Sequence, residues 1–580
     1  MDLIASHAQA ASGIAPEAVP ARPLPLHKIR AIAVSAPDWI SGVKSENALN
    51  STDPASLFNA CRYAADLARR KVGAWGHSNW ATPNSAVREH FLLMYSLEDM
   101  DRFKSLITSQ RPNLLLLGAM TLCMPGAVEC AKLAKDLLGD EILIVFGGRH
   151  VTETIYLQNE RVRLPSTVCH HYGSPSRLMR TCEIPPIFDI VISGEAEHIV
   201  AEIGSALSSL PPGELTSIAN RLQPNIPGYW IADFPSINRT IVSKGIPICY
   251  DDIPSSASIF GVSASFSVFD GRMTAHVFSD TGRGCVYDCT FCSERRTVTG
   301  GIQNIKGAPR RLYRQLKEAA FVMARDYPGR GASAFVEDSI FLSGSPAAIS
   351  QFCELVEHEP IDIIFGGQFT IDQILRRKKL IERLGRNGLR YVFVGLETFE
   401  PEEIGGMSKD LDNKTCSWQD RFAEVLRTLG EAGISCGCAL LFGLGERHAS
   451  RVALLNVLID YLGRTGQPVV LSANWAVQHP LRNTPESADE DYLRWGTPKG
   501  PLLDAFHRFG EASLEYPLAG VAPPVLSEVK DIVALLDKFE AINAKIKFNR
   551  PRSDRSFPLG KRSFTVNTCH QRHDIRREQL

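Results

Sequence analysis

The sequence predicts an α/β protein with two parallel sheets in tandem, the second curled into a partial barrel, followed by a mixed, largely helical extension. Three observations predict it. Short apolar runs of strand length alternate with segments of helical period, the runs end on glycine or polar residues, and the alternation breaks once near the middle of the chain. The 580 residues exceed what one hydrophobic core usually organises, so more than one domain is expected.

In the first block, Ala31 to Ser35, Leu114 to Leu117, Ile142 to Phe146 and Asp189 to Ile192 read as strands. Pro125 to Leu138 and His198 to Leu207 read as helices between or after them. Continuous apolar runs belong to strands buried on both faces, which means a parallel sheet with helices on each side. Residues 1–25 read as a leader, 26–210 as the first domain and 211–265, rich in Pro, Gly and Ser, as a connector.

The second block, 266–485, carries strands at Ala275 to Phe278, Ala334 to Val336, Ile361 to Phe365, Tyr391 to Val394, Ser435 to Leu441 and Val469 to Trp475. Helical segments between them make six strand-helix units. Residues 486–580 mix helices, notably Ser527 to Lys547, with a basic tail, and are expected to cap the barrel or shape its substrate region.

Charge and cysteine usage narrow the function classes. The 63 basic and 64 acidic side chains nearly cancel, so no electrostatic footprint for nucleic acid is expected. No apolar run approaches the length that spans a bilayer. The amino terminus lacks the pattern of an export signal, and 14 cysteines scattered through a long chain fit thiols kept reduced in a cytoplasm. Most are expected to be inert, including Cys61, Cys123, Cys130 and Cys353 in or beside helices.

Cys285, Cys289 and Cys292 differ. They lie within eight residues directly after a strand, in Gly282-Arg283-Gly284-Cys285-Val286-Tyr287-Asp288-Cys289-Thr290-Phe291-Cys292. Soft thiolates suit an iron-sulfur cluster or zinc, and the two glycines let backbone approach a metal closely. Three ligands leave one iron of a 4Fe-4S cluster open. The alternatives are zinc completed by a distant residue such as His276, or three free thiols.

The C-x-x-x-C-x-x-C spacing, with Phe291 before the third cysteine, resembles the radical S-adenosylmethionine (SAM) superfamily. The resemblance implies that the cysteines bind three irons of a 4Fe-4S cluster and that SAM chelates the fourth. Reductive cleavage of SAM would then give a 5'-deoxyadenosyl radical, with an electron donor such as flavodoxin or ferredoxin as partner. Val336-Glu337-Asp338-Ser339 is similar to the family segment that contacts the SAM amino group, and Gln368 stands where a polar side chain often approaches the nucleoside. Gly395-Leu396-Glu397-Thr398 looks like the family's Gly-Leu-Glu-Ser segment. Ala439-x-Leu441-x-Gly443-x-x-Glu446 resembles the adenine-side motif, with alanine for its first glycine. The implied SAM-binding set is Phe291, Glu337, Gln368, Glu397 and Gly443. His479 to Pro485 stands where relatives carry a Pro-Gly-Thr turn but lacks the glycine, and no contact is assigned to it.

In the first block, Gly118 to Thr121, Gly147 to Thr152 and Gly194 to Glu197 all follow strands of one sheet. They resemble the rim of the Rossmann-like cobalamin-binding domain that precedes the barrel in one branch of the superfamily. The implied cobalamin-binding residues are Thr121, Gly147, Gly148, His150, Gly194 and Glu195; His150 either touches the corrin or fastens the loop. The Asp-x-His-x-x-Gly cobalt-ligand motif is replaced by Asp38-Trp39-Ile40-Ser41-Gly42, which implies cobalamin without a protein histidine on cobalt. A Rossmann-like fold kept only for assembly is the plainer alternative.

The function expected on this basis is cobalamin-dependent radical methylation of an unactivated carbon in a small molecule or natural-product precursor, with lipid and peptide substrates also open. Relatives also cyclise, contract rings or transfer methyl groups by polar chemistry. A methylthiotransferase would need three more cluster cysteines in the first domain. A noncatalytic cobalamin or redox sensor would need an output module that the sequence does not display.

Overall fold

The computed structural model describes residues 29–36, 91–93, 99–158, 167–251, 253–262, 266–282, 284–292, 294–296, 304–410, 416–476, 517–518 and 520–549. The leader, Cys61, the segment Asp38 to Gly42 and His479 to Pro485 lie outside the described residues. No described helix is long and apolar enough to cross a membrane.

The amino-terminal sheet contains β1 (Ala31–Ser35), β2 (Phe91–Leu93), β3 (Leu114–Gly118) and β4 (Leu143–Gly147). A small hairpin of β5 (Ile155–Leu157) and β6 (Val168–His170) stands apart, and β7 (Ile190–Gly194), β8 (Trp230–Phe234) and β9 (Arg239–Val242) complete the main sheet. Its order is β2-β1-β3-β4-β7-β8-β9, parallel through β7 and antiparallel at the last two pairings. Alternate residues point to opposite faces. Ile32, Val34, Leu115 and Leu117 therefore pack under Phe103, Ile107 and the helix Met124–Leu138, while Ala31, Ala33, Leu114 and Leu116 join the helix Glu197–Leu207.

Two expectations need correction here. The parallel part has the flavodoxin-like order 2-1-3-4-5, counting β7 as fifth, whereas the Rossmann order is 3-2-1-4-5. The sheet also continues past residue 210, because β8 and β9 pair within the supposed connector. Pro235 and Asn238 make that stretch resemble a linker, but they build the turn between the strands, with Asn238 in the left-handed region at φ 47°.

The second sheet runs β10 (Met273–Val277), β11 (Ala332–Val336), β12 (Ile364–Phe369), β13 (Leu389–Glu397), β14 (Ser435–Phe442) and β15 (Val470–Trp475). Every neighbouring pair is parallel and in chain order, and β10 and β15 are not bonded, so the barrel is open. One face is fully covered by helices. There Val277, Val336, Val392, Val394 and Leu440 meet side chains such as Leu312 and Phe352. On the other face His276, Phe335, Gln368 and Phe393 are half-buried. The amino end of that face is plugged by Phe269, Ile364, Tyr391 and Val470, with Phe266, Phe335 and Phe393 packed against them.

The third strand begins and ends later than the apolar run suggested, because Gly366 and Gly367 sit inside it. A Cβ on Gly366 would stand 3.1 Å from Phe269 and Tyr391 atoms, so these glycines make room for rings. The helix Leu526–Asn549 does not close the mouth. Its Val529, Ile532, Leu536 and Phe539 join the outer core against the helix His448–Thr465, and Asn543 Nδ2 donates to the Val469 carbonyl at 2.9 Å.

Gly194 has φ 89°, and a Cβ there would lie 2.1 Å from the Tyr229 carbonyl oxygen, whereas one on Gly118 would meet nothing within 4 Å. Gly194→Ala is expected to cost about 3 kcal/mol or more, and Gly118→Ala less than about 1. Denaturant unfolding of the two variants checks this; equal losses would contradict it.

Candidate active site

The cysteine loop leaves β10 under tight control. Ser279 donates from its backbone N at 2.9 Å and its hydroxyl at 2.5 Å to the Asp338 carboxylate, which also accepts from Leu342 N at 3.1 Å. Asp338 thus ties the exits of the first two barrel strands together. Arg311, buried in the helix Ala308–Asp326, donates to the Ser279 and Asp280 carbonyls at 3.2 and 3.1 Å. Gly282 and Gly284, at φ 114° and 90°, then turn the chain into the loop.

Within the loop, Cys285 N donates to the Glu294 carbonyl at 2.8 Å and Arg296 N to that of Tyr287 at 3.0 Å, closing the segment on itself. Two sulfurs accept backbone hydrogen bonds, Cys285 Sγ from Tyr287 N at 3.4 Å and Cys289 Sγ from Ser408 N at 3.3 Å. Burial pushes the Cys285 thiol above its usual pKa and that of Cys292 up to about 12. A cluster bound as thiolates would reverse that preference, as metals do for coordinating thiols. Among the described residues no three His, Cys, Asp or Glu side chains converge on one metal-ion position. His276, the alternative zinc ligand, binds Glu337 through Nδ1 at 2.6 Å. Three soft donors on one short loop, with N–H groups directed at two of the sulfurs, fit an iron-sulfur cluster.

A segment between β13 and the next helix covers this loop. Gly406 O accepts from Thr290 N, and Ser408 Oγ accepts from Asp288 N at 2.7 Å. Next to it, Lys409 Nζ donates to Gly395 O at 2.6 Å and pairs with Glu397 at 2.8 Å. Burial opposes the Lys409 charge, but Glu397 and Asp410 outweigh it and leave the ammonium pKa above its usual value. Glu397 itself is a non-glycine residue at φ 56°, reached through a register shift against β14. Such bulges re-aim side chains, here toward the lysine.

The remaining barrel candidates divide by role. Glu337 is paired with His276, and Gln368 is half-buried beside Phe393 in register. Phe291 packs with Leu441, Leu444 and Ala476, joining the third cysteine to the ends of β14 and β15. Gly443, at φ 78°, donates its N–H at 2.7 Å to buried Glu446, which also holds Leu444 N and Arg451. Glu446 is therefore a support under the turn.

On the amino-terminal rim, two of the proposed contacts lie beneath the surface. His150 is fully buried, with Nε2 2.9 Å from Gly173 O and Nδ1 3.3 Å from Thr121 Oγ1; Thr121 in turn donates to Glu153 at 3.1 Å. Both ring nitrogens of His150 are thus engaged within the amino-terminal rim. Gly148 and Gly194 approach the backbone of Ala119 and Tyr229, so the chain's own packing accounts for them. A Cβ on Gly147 would lie 3.4 Å from Ile192 O, an ordinary contact, and Glu195 accepts from Tyr229 N and the Tyr250 hydroxyl. Space is open at Gly118, at the end of β3 beside the switch point between β1 and β3. Parallel sheets receive ligands at such points.

The two sheets meet at the cysteine loop. Arg149, directly after Gly148, forms an ion pair with Glu294, two residues beyond Cys292, and Glu294 also accepts from Ser339 Oγ at 2.8 Å. Sequence spacing could not have found this contact, nor Ser408 and Lys409, because the partners are distant in the chain and belong to no local motif.

Two outcomes test the site's electrostatics. Glu397→Gln leaves Lys409 without its carboxylate and is expected to cost about 3 kcal/mol in denaturant unfolding; an unchanged midpoint would contradict the pairing. Burial raises the Asp338 carboxyl from 3.8 to about 6, so between those values the folded state holds a proton that the unfolded state has released. Its contribution to stability rises as pH falls through about 6, and the gap between wild type and Asp338→Asn should be larger by about 1 kcal/mol at pH 5 than at pH 7. An equal gap at both would refute it.

Residues 280–458 match the family described as the radical SAM superfamily. The chain is 20% identical over 453 residues to the anaerobic magnesium-protoporphyrin IX monomethyl ester cyclase of Rubrivivax gelatinosus, covering 72% of this chain and 69% of the relative. It is 26% identical over 220 residues to biotin synthase of Nitrobacter hamburgensis, covering 37% and 58%. Among solved structures, the radical SAM methyltransferase TsrM from Kitasatospora setae, with cobalamin and a 4Fe-4S cluster bound, overlaps with a TM-score of 0.46 at 14% identity, covering 87% of this chain and 91% of that one. The cobalamin-dependent SAM radical enzyme OxsB overlaps at 0.43 with 13% identity, covering 93% and 64%. Overlaps of this size carry no argument about mechanism. The three cysteines lie near the start of the stretch, residues 280–458, that is similar to the radical SAM superfamily.

Proposed function

We propose that this protein is a cobalamin-dependent radical SAM enzyme that methylates an unactivated carbon of a small molecule or natural-product precursor. The observation that carries the reading is the meeting of the two sheets at the cysteine loop, where the Gly148-Arg149 turn touches Glu294 beside Cys292. Cofactors held at the two carboxyl edges would face each other across one space. The opening at Gly118 beside the switch point supports cobalamin on the first edge. Contacts there would come from the backbone around Gly118 and Gly147, with Thr121 and His150 holding the rim from below.

Cys285, Cys289 and Cys292 would hold the 4Fe-4S cluster, and the bound cofactors would supply the hydrogen-abstracting and methyl-transferring chemistry that side chains lack. The chain's residues bind and orient. Glu337 and Gln368 line the approach to SAM on the half-buried face, Lys409 and Glu397 set the charge beside the loop, and Phe291 packs the third cysteine in place. A reductant such as flavodoxin or ferredoxin would deliver the electron.

Ring formation is a second reading, favoured by the alignment of 72% of the chain with a cyclase. Methylthio transfer is disfavoured, since Cys123 and Cys130 lie in the hydrophobic core under the first sheet.

Anaerobic reconstitution followed by reduction with SAM is expected to give a 4Fe-4S spectrum and 5'-deoxyadenosine. Cys289→Ala should abolish the nucleoside while leaving the protein folded. Zinc binding without iron or sulfide would overturn the reading. An intact cluster with no cobalamin bound would remove the methyltransferase part alone.

A further inference from the structure

We infer that Arg149 of the amino-terminal sheet is a positioning residue for the cluster, acting through Glu294 to set the electrostatic environment of the cysteine loop from the neighbouring domain. The inference rests on the cluster reading and is independent of cobalamin.

Glu294 occupies a three-way junction. Its carboxylate takes the Arg149 guanidinium from the amino-terminal sheet and the Ser339 hydroxyl from the end of β11, and its carbonyl accepts from Cys285 N. One residue thereby joins the first cysteine, the second barrel strand and the first domain. Arg149 cannot swing away freely. It starts the helix Arg149–Thr154, follows Gly148, which is pressed against Ala119, and precedes His150, anchored on both ring nitrogens. About a quarter of each paired side chain is exposed, 26% for Arg149 and 22% for Glu294, so the pair is shielded from full solvent screening.

The consequence is electrostatic and has a sign. A reduced 4Fe-4S cluster carries one more negative charge than the oxidised one, so a nearby cation stabilises the reduced state and a nearby anion destabilises it. Removing Arg149 leaves an unbalanced carboxylate beside the loop and lowers the midpoint potential. Removing the Glu294 charge leaves an unbalanced guanidinium and raises it. Loosening of the loop alone would not give shifts of opposite sign.

The test is redox titration of the anaerobically reconstituted full chain, followed by electron paramagnetic resonance, for wild type, Arg149→Ala, Arg149→Lys, Glu294→Gln and the double variant R149A/E294Q. Arg149→Ala should fall below wild type, Glu294→Gln should rise above it, and Arg149→Lys and the double variant should lie between the two. Shifts of the same sign, or no shift in variants with wild-type iron and sulfide, would overturn the proposal. If Arg149→Ala loads poorly, the near-isosteric Glu294→Gln decides it alone, since an unmoved or lowered potential there contradicts the sign. A wild-type chain that binds no cluster would defeat the functional reading as well, whereas a loaded wild type with unmoved variants defeats only this inference.

Discussion

A single buried carboxylate fixes where the cysteine loop begins. Asp338 accepts both the backbone and the hydroxyl of Ser279 and the backbone of Leu342, binding the exits of β10 and β11 into one unit. Burying a carboxylate is costly unless its oxygens are satisfied, and here three donors offset part of that cost. The same oxygens steady an unusual stretch, since Leu342, Ser343 and Gly344 all have positive φ, at 47°, 53° and 71°. Two of the three carry side chains for which this conformation is strained. The loop, the second strand and the turn after it therefore stand or shift together.

From that fastening the site is assembled in layers. Arg311 supports the strand exit from below, the 406–409 segment covers the loop from the fourth strand, and Arg149 reaches it from the other sheet. Each approaches a different part of the cysteine loop. Every backbone group between Cys285 and Cys292 lies within one or two residues of a fastened neighbour. Preorganisation of this kind keeps ligands apart at fixed spacing before anything binds.

The strand-helix alternation, the six-strand order and the cysteine loop were legible because they depend on local period and short spacing. Continuous apolar runs such as Leu114 to Leu117 could only be strands buried on both faces. What was hidden depended on partners far apart in sequence. Gly366 and Gly367 resemble a strand end until Phe269, Tyr391 and Phe341 are seen to need the space. Gly148 and Gly194 resemble a cofactor cradle, yet they lie against Ala119 and Tyr229. His150 resembles a surface ligand by its place after two glycines, but a histidine anchored from below has the same local sequence. Strand order, too, is set by which hydrophobic faces meet, so the flavodoxin-like arrangement could not be told from a Rossmann one by period alone.

The aromatic plug at the amino end of the barrel limits the shape of what the barrel can receive. A fully closed barrel of eight strands fills its interior with its own side chains. Six strands with unbonded edges do not, and here the floor is sealed by Phe269, Ile364, Tyr391 and Val470 while the inner face above stays half-open. The enclosure has a bottom. A molecule entering from the mouth therefore meets the rings of Phe269 and Tyr391 at the opposite end.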